Sequence, residues 1–283
     1  MSAQQDNEAP QVSEVDVVSA SAAEALHNLL DAPGPAPRTG EPLPPLWHWL
    51  AFLPRTPQRE LGNDGHPSRP PETLPEKFPQ RMFAGAQLSI FRDVRVGMSM
   101  ARSSTTLSMT EKVGKSGPML FASIENRYET DGASAIVEVQ DIVYRKKTKK
   151  SEVGQIVADT MRESQFIWGL DVRVDATLLF RFSALTYNAH RIHYDLNFAK
   201  NEEGYPGLVV HGPLQALFLA ELCRRHAQNE RIEDFEFRAL HPLFDGGTMR
   251  LRATREGQKV SLLAFDQFGQ NTMKASATLA NLV

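Results

Sequence analysis

The run Phe180-Arg181-Phe182-Ser183-Ala184-Leu185-Thr186-Tyr187-Asn188-Ala189-His190-Arg191-Ile192-His193-Tyr194-Asp195 holds the densest set of reactive side chains in the sequence. Eighteen residues after His193 a second set begins to close, Gly207-Leu208-Val209-Val210-His211-Gly212-Pro213. An imidazole near its reference pKa is poised to act as a general base at neutral pH. Proline suits a first helical turn, and Leu214, Ala216, Leu217, Phe218, Leu219, Ala220 and Leu222 are apolar on nearly every side, so 213–226 is expected to form an enclosed helix. Its N-terminus presents unpaired N–H groups and partial positive charge, which can hold an oxyanion. Pro213 has no N–H. Gly212 is the natural donor, because without a Cβ it lets a ligand carbonyl come close.

These residues need a scaffold. Leu178–Leu185 reads as a strand that delivers the first set into a polar loop, the usual geography of a mounted site. Strand patterns run from Leu88 to about Arg145, separated by turns at Gly97, Ser116-Gly117-Pro118 and Asp131-Gly132, and return at 249–255, 260–265 and 273–279. The segments opening at Phe91 and Leu240, about 150 residues apart, look like copies of one another. Two copies imply an internal pseudo-dimer of curved antiparallel sheets, each wrapping a helix.

Residues 1–45 are expected to form a loosely attached arm with a short helix within Val17–Leu30: its first 37 residues carry six acids and no Lys or Arg, and prolines follow from Pro33 to Pro45. That acidity excludes a secretory signal or an Arg-rich transit peptide. The run 46–53 is too apolar to be exposed, and the proline-rich stretch to Pro79 is expected to be ordered but irregular. The basic run 145–150 reads as a solvated linker between repeats at 46–150 and 151–283. A formal charge of -3 argues against nucleic acid or an anionic membrane as partner. The single cysteine, Cys223, falls inside the apolar helix as packing, and one cysteine suits a reducing cytoplasm. His190-x-x-His193 lacks a third ligand nearby in sequence, so no metal is expected.

Around these residues the sequence resembles the MaoC-like hydratases and dehydratases of acyl thioesters. Their signature is Ser/Thr-Gly-Asp-x-Asn-Pro-x-His, followed after a spacer by Ala/Val-His-Gly at the head of a central helix; here it runs from Thr186 to His193, with Val210-His211-Gly212 as the second part. Asn188 stands where the family has its catalytic aspartate, and Tyr187, His190 and Arg191 also depart. One branch shares these departures, the two-repeat hydratases of the mesaconyl-C4-CoA and itaconyl-CoA type and the related 3-hydroxyacyl-thioester dehydratases. That branch is similar over roughly 44–280, including Pro44-Pro45-Leu46-Trp47-His48-Trp49-Leu50, Asp64-Gly65-His66-Pro67, Arg81-Met82-Phe83-Ala84-Gly85 and Glu203-Gly204-Tyr205-Pro206-Gly207.

The resemblance implies an α+β double hot-dog whose N-terminal repeat shapes an acyl-thioester cleft and whose C-terminal repeat carries catalysis. It implies reversible hydration of an enoyl-CoA, with a branched dicarboxylic monothioester such as mesaconyl-C4-CoA or itaconyl-CoA as first choice. A straight-chain 3-hydroxyacyl-thioester dehydratase and a non-catalytic thioester-binding module are the alternatives. A lone histidine at such a place is more often structural; it is the resemblance that makes His193 the base. Gly212 holds the thioester oxygen, and Asn188, which cannot exchange a proton as a carboxyl does, orients water or the His193 ring. His211, Tyr187, Tyr205, Trp47 and Trp49 are expected to line the substrate site, although His190 and His211 also fit architectural roles and both tryptophans fit the core. Arg191 is expected to read a substrate carboxylate, with Asp195 or a CoA phosphate as its other candidate partners. No cofactor is needed, since CoA belongs to the substrate. A homodimer is left open.

Overall fold

The computed structural model describes residues 12–68, 78, 80–114, 117–145 and 163–282. The elements follow in the order β1 (Val12–Val17), α1 (Ala20–Leu29), β2 (Gln80–Ile90), β3 (Ser99–Gly114), β4 (Gly117–Thr130), β5 (Ala133–Arg145), β6 (Trp168–Val174), α2 (Ala176–Leu185), α3 (Gly212–His226), β7 (Glu230–Ala239), β8 (Gly247–Glu256), β9 (Lys259–Phe265) and β10 (Asn271–Asn281). In β10 the period of two sorts the side chains cleanly. Met273, Ala275, Ala277 and Leu279 turn inward while Lys274 and Ser276 face solvent. In α3 every residue from Leu214 to Cys223 is buried, and the one acid among them, Glu221, is held by Arg224 and Arg225 at 2.7 and 3.0 Å.

The strand order is β1-β3-β4-β5-β2-β7-β10-β9-β8-β6, antiparallel at every pairing. Reading outward from the centre, each half repeats the other: β2 with β7, β5 with β10, β4 with β9, β3 with β8 and β1 with β6. The expected pair of sheets is therefore one ten-stranded sheet, joined where β2 meets β7 through five register pairs, from Gly85↔Arg238 to Ser89↔Asp234. Gly85 permits that seam, because a Cβ there would lie 2.3 Å from the carbonyl oxygen of Phe237.

Three expectations change. The segment from residue 12 to 45 is not a loose arm. The pattern Val12-Ser13-Glu14-Val15-Asp16-Val17 pairs with β3, and α1, capped by Ser19 Oγ accepting from the Ala22 N–H, buries Ala23, Leu26 and Leu29 in the main core. Fully burying one such leucine is worth about 1.5–3 kcal/mol, ample to fasten a short helix. The first repeat thus begins at β1, upstream of residue 46. Second, Leu178–Leu185 is helix α2, not a strand; the carboxylate of Asp175 accepts the Leu178 N–H at 3.0 Å and starts it. Third, among the described residues only the C-terminal half wraps a long helix. In the N-terminal half a one-turn 3-10 helix, Trp47–Leu50, stands over β5, with Leu46, Trp47, Leu50 and Ala51 in the core. The linker 146–150 lies outside the described residues.

Candidate active site

Helix α2 ends at Thr186, where Tyr187 takes a left-handed backbone (φ 51°) and turns the chain back. The Asn188 N–H then donates to Ser183 O at 2.8 Å, and its side-chain Oδ1 accepts the His190 N–H at 3.0 Å. Asn188 therefore holds the loop with its carbonyl and leaves only its amide NH2 for other work. Arg191 fastens the same loop. Its guanidinium donates to Asp195 Oδ2 at 2.7 and 3.1 Å and to Asn63 O at 2.9 Å, and it lies 4.2 Å over the Phe198 ring. This is the Asp195 partnership rather than a guanidinium open to a substrate carboxylate.

His193 sits in a one-turn 3-10 helix, Arg191–His193, and is buried. The Val209 N–H donates to Ile192 O at 2.9 Å, tying the two reactive segments together side by side. His193 Nδ1 donates to Val209 O at 2.7 Å, which fixes the tautomer and leaves Nε2 as the lone-pair nitrogen. Burial pushes its pKa down to about 4, against the raising influence of the Val209 carbonyl and with nearby His66 acting in the same direction as burial, so the ring is neutral at pH 7. Its face stacks on His211 at 3.6 Å. His211 is anchored in turn by Ser183 Oγ at 2.9 Å from Nε2 and by the Phe182 ring, and burial holds it well below the ordinary histidine value.

His211 precedes α3 without capping it by its side chain, so the first-turn N–H groups stay open. At Gly212 the nearest atoms to an added Cβ would be Phe83 Cδ1 and Phe83 O, both 3.9 Å away. The protein itself does not need a glycine there. Phe83, reaching in from β2, packs on Phe237 at 5.7 Å, and Phe237 packs on Trp49 at 6.0 Å, an aromatic wall leading from the head of α3 into the N-terminal repeat. The indole N–H of Trp49 donates to Glu138 at 3.0 Å; that carboxylate, wholly buried, also accepts from Tyr128 OH and Gln140, and although burial would raise its pKa, His48 first and then Gln140 and Tyr128 hold it down.

The other repeat supplies a loop as well. Leu61 and Pro67 close it, the Arg191 N–H donates to Asp64 O at 2.8 Å, and the His66 ring lies 4.0 Å from that of His190. Gly65 makes this contact feasible: it is left-handed (φ 87°), and a Cβ would fall 1.8 Å from Ala189 O. Asp64 accepts from the His66 N–H at 3.0 Å and faces His66 Nδ1 at 3.3 Å. Burial would raise the Asp64 pKa, but His66 outweighs it and the carboxyl sits at about 2. His190, between His66 and His193, is driven to about 2 chiefly by burial, with its two neighbouring histidines acting in the same direction, and so stays neutral. Donor atoms of Asp64, His66 and His190 lie within 4.8 Å of one another, so the third partner that His190-x-x-His193 lacks in sequence comes from a distant loop, and to His190 rather than to His193.

Of the expected site residues, His193, Asn188, Arg191, His211 and Gly212 come together, and Trp49 joins through the aromatic wall. Trp47 is core at 2% exposure, Tyr187 points outward at 60%, and Tyr205 packs instead against Phe244. Asp64, His66, Arg81, Phe83 and Glu138 were not singled out. The first four lie in stretches with a visible likeness to the hydratases, but nothing local in them signals a role.

The sequence profile of the hydroxyacyl-thioester dehydratase type 2 family matches residues 46–245. The chain is 43% identical over 253 residues to mesaconyl-C(4)-CoA hydratase of Chloroflexus aurantiacus, covering 88% of each chain. It is 24% identical to the mitochondrial hydroxyacyl-thioester dehydratase type 2 of Schizosaccharomyces pombe, covering 76% of this chain and 79% of that protein. Among solved structures it superposes on a MaoC-like dehydratase from Phytophthora capsici (TM-score 0.69, 13% identity, 97% of each chain) and on HtdX of Mycobacterium tuberculosis (TM-score 0.65, 13% identity, 96% of this chain and all of that one). With the family profile matching 46–245 and the relative at 43% identity covering 88% of each chain, the chain belongs to the hydroxyacyl-thioester dehydratase type 2 family on the MaoC-like hot-dog fold.

Proposed function

We propose that the protein reversibly hydrates a short, branched dicarboxylic enoyl-CoA of the mesaconyl-C4-CoA type. The observation that carries this is the pairing of His193, whose Nδ1 is tied to Val209 O, with the unencumbered Gly212 N–H at the head of α3. His193 Nε2 takes a proton from water as the oxygen attacks the β-carbon. The thioester oxygen, gaining charge, is held by the Gly212 N–H and the dipole of α3. Asn188, through its free amide, orients the water. CoA is part of the substrate and no other cofactor enters the step. Among the described residues no helix is long and apolar enough to cross a membrane. The single cysteine, Cys223, buried and pushed up to about 12, is inert packing in keeping with a reducing cytoplasm.

Two features favour a dicarboxylic substrate over a straight-chain one. The Trp49–Phe237–Phe83 wall, anchored behind by Glu138, fills space a long chain would need. Arg81 supplies the cation that Arg191 does not. It pairs across the sheet with Tyr144, as Phe83 does with Ile142, so both stand on the inner face of β2. Arg81 is half-buried and has no ion pair among the described residues, and its charge is felt at His190. The test compares kcat/KM on mesaconyl-C4-CoA and crotonyl-CoA for the wild type and Arg81→Met. The expected result is a wild-type preference for the dicarboxylic ester that falls by at least ~10-fold in the variant, as loss of a charged hydrogen bond implies. A wild type that prefers crotonyl-CoA rejects the dicarboxylic assignment, and one inert on both rejects hydration.

A further inference from the structure

Hydration moves two protons: one leaves water and one arrives at the α-carbon. A carboxyl beside the histidine is the obvious second group, and this chain has Asn188 at that place, with its Oδ1 already committed to the His190 N–H. The loop at 61–67 brings a carboxylate and an imidazole to the same wall from the other repeat. It is docked at three independent points: the Arg191 N–H on Asp64 O, the Arg191 guanidinium on Asn63, and the Gly65 backbone pressed against Ala189. Such docking holds the His66 ring in place. The Asp64 carboxylate faces its Nδ1, and Nε2 has no partner among the described residues.

We propose that His66, held by Asp64, is the second proton-transfer group of the site, so that the acid and the base of one reaction come from the two repeats. The idea rests on the hydratase reading above. The O–H bond of water breaks as its proton passes to His193 Nε2 and the oxygen bonds to the β-carbon. The C=C π pair moves toward the thioester, whose oxygen is held by Gly212. The resulting enolate collapses by taking a proton from His66 Nε2 onto the α-carbon. His193 is then protonated and His66 neutral, and exchange with solvent water returns both to their starting state. Asp64 is a positioning residue: its carboxylate holds Nδ1, leaving Nε2 as the nitrogen that carries the transferred proton. In the dehydration direction the roles reverse, and His66 removes the α-proton.

The experiment measures kcat and KM for mesaconyl-C4-CoA with wild type, His66→Ala and Asp64→Asn, each checked for an unchanged melting temperature, with and without added imidazole. His66→Ala is expected to lose at least ~100-fold in kcat with KM within about threefold, and added imidazole is expected to restore at least ~10-fold of it. Asp64→Asn, which keeps the loop's shape, is expected to lose about tenfold in kcat at constant KM. A folded His66→Ala enzyme within threefold of wild type, or one whose loss imidazole does not touch, overturns the proposal while leaving the hydratase reading intact. Loss of wild-type activity on EDTA treatment, restored by zinc, also overturns it, since Asp64, His66 and His190 would then hold a metal. If His66→Ala fails to fold, Asp64→Asn decides: full activity there overturns the proposal. A wild type inactive on mesaconyl-C4-CoA and crotonyl-CoA overturns both readings together.

Discussion

The two repeats share a strand order and differ in what their concave faces hold. The C-terminal sheet wraps α3, fifteen residues buried along most of its length, whose open N-terminus lies beside His193. Among the described residues, the N-terminal sheet is accompanied by α1 and by short 3-10 turns, Trp47–Leu50 among them, with no long helix. A continuous helix fixes an oxyanion site by its axis, and its apolar sides leave little room for anything else. Where the N-terminal half has a short turn and a loop instead, Phe83 from β2 and residues 61–67 reach the C-terminal site residues. On the reading proposed above, the C-terminal copy would supply the oxyanion site and the base, and the N-terminal copy the aromatic wall and the loop that carries His66.

If that division holds, the largest effect follows from removing the base. His193→Ala is expected to lower kcat by ~100-fold or more with thioester binding nearly unchanged, read by steady-state kinetics and a binding titration. Comparable turnover in the folded variant would shift the chemistry out of the C-terminal half.

The same half should dominate the response to acid. His193 keeps its ring neutral down to about 4 in the folded chain, whereas unfolded it takes up a proton near 6.5. The unfolded state therefore binds more protons between these values. Stability is full above pH 6.5 and is lost as pH falls, by about 3 kcal/mol from this residue alone at pH 4. His190 and His211, also held neutral by burial, add loss in the same direction. Urea midpoints at pH 7.5, 6 and 5 measure it, and a flat profile would contradict the buried, neutral array.

Gly212 tests the helix head more gently. Because an alanine Cβ meets only ordinary contacts with Phe83, Gly212→Ala should melt within a few degrees of wild type yet lose about tenfold or more in kcat/KM, as the methyl occupies the thioester's approach. Smallest is Asn188→Asp. Both side chains offer an oxygen to the His190 N–H, so activity should stay within about threefold, against a loss of about five- to tenfold for Asn188→Ala, which removes a single hydrogen bond. An inactive Asn188→Asp enzyme would make the amide NH2 indispensable.

The legible parts were those with one dominant local signal. Helix α3 follows from a proline and a largely apolar run, and β8 to β10 from alternation. Helix α2 misleads because Leu178-Leu179-Phe180-Arg181-Phe182 is apolar and aromatic enough to read as a strand; the signal that opposes it is Asp175, an acid three residues before an N–H it caps. Val12–Val17 alternates visibly, but acidity and the prolines after it outweighed that pattern. His193 and Gly212 were legible through their motif. Asp64 and His66 were not, because their meaning lies in a contact with Ala189 and His190 from the other end of the chain, and no local rule carries information of that kind.

The seam between β2 and β7 has a mechanical consequence. Five consecutive backbone pairs cross it, so the halves cannot open like jaws without breaking a ladder in the middle of the sheet. A substrate bound between the repeats, on the reading proposed above, would therefore meet walls already set in place rather than drawn shut by a hinge at that seam.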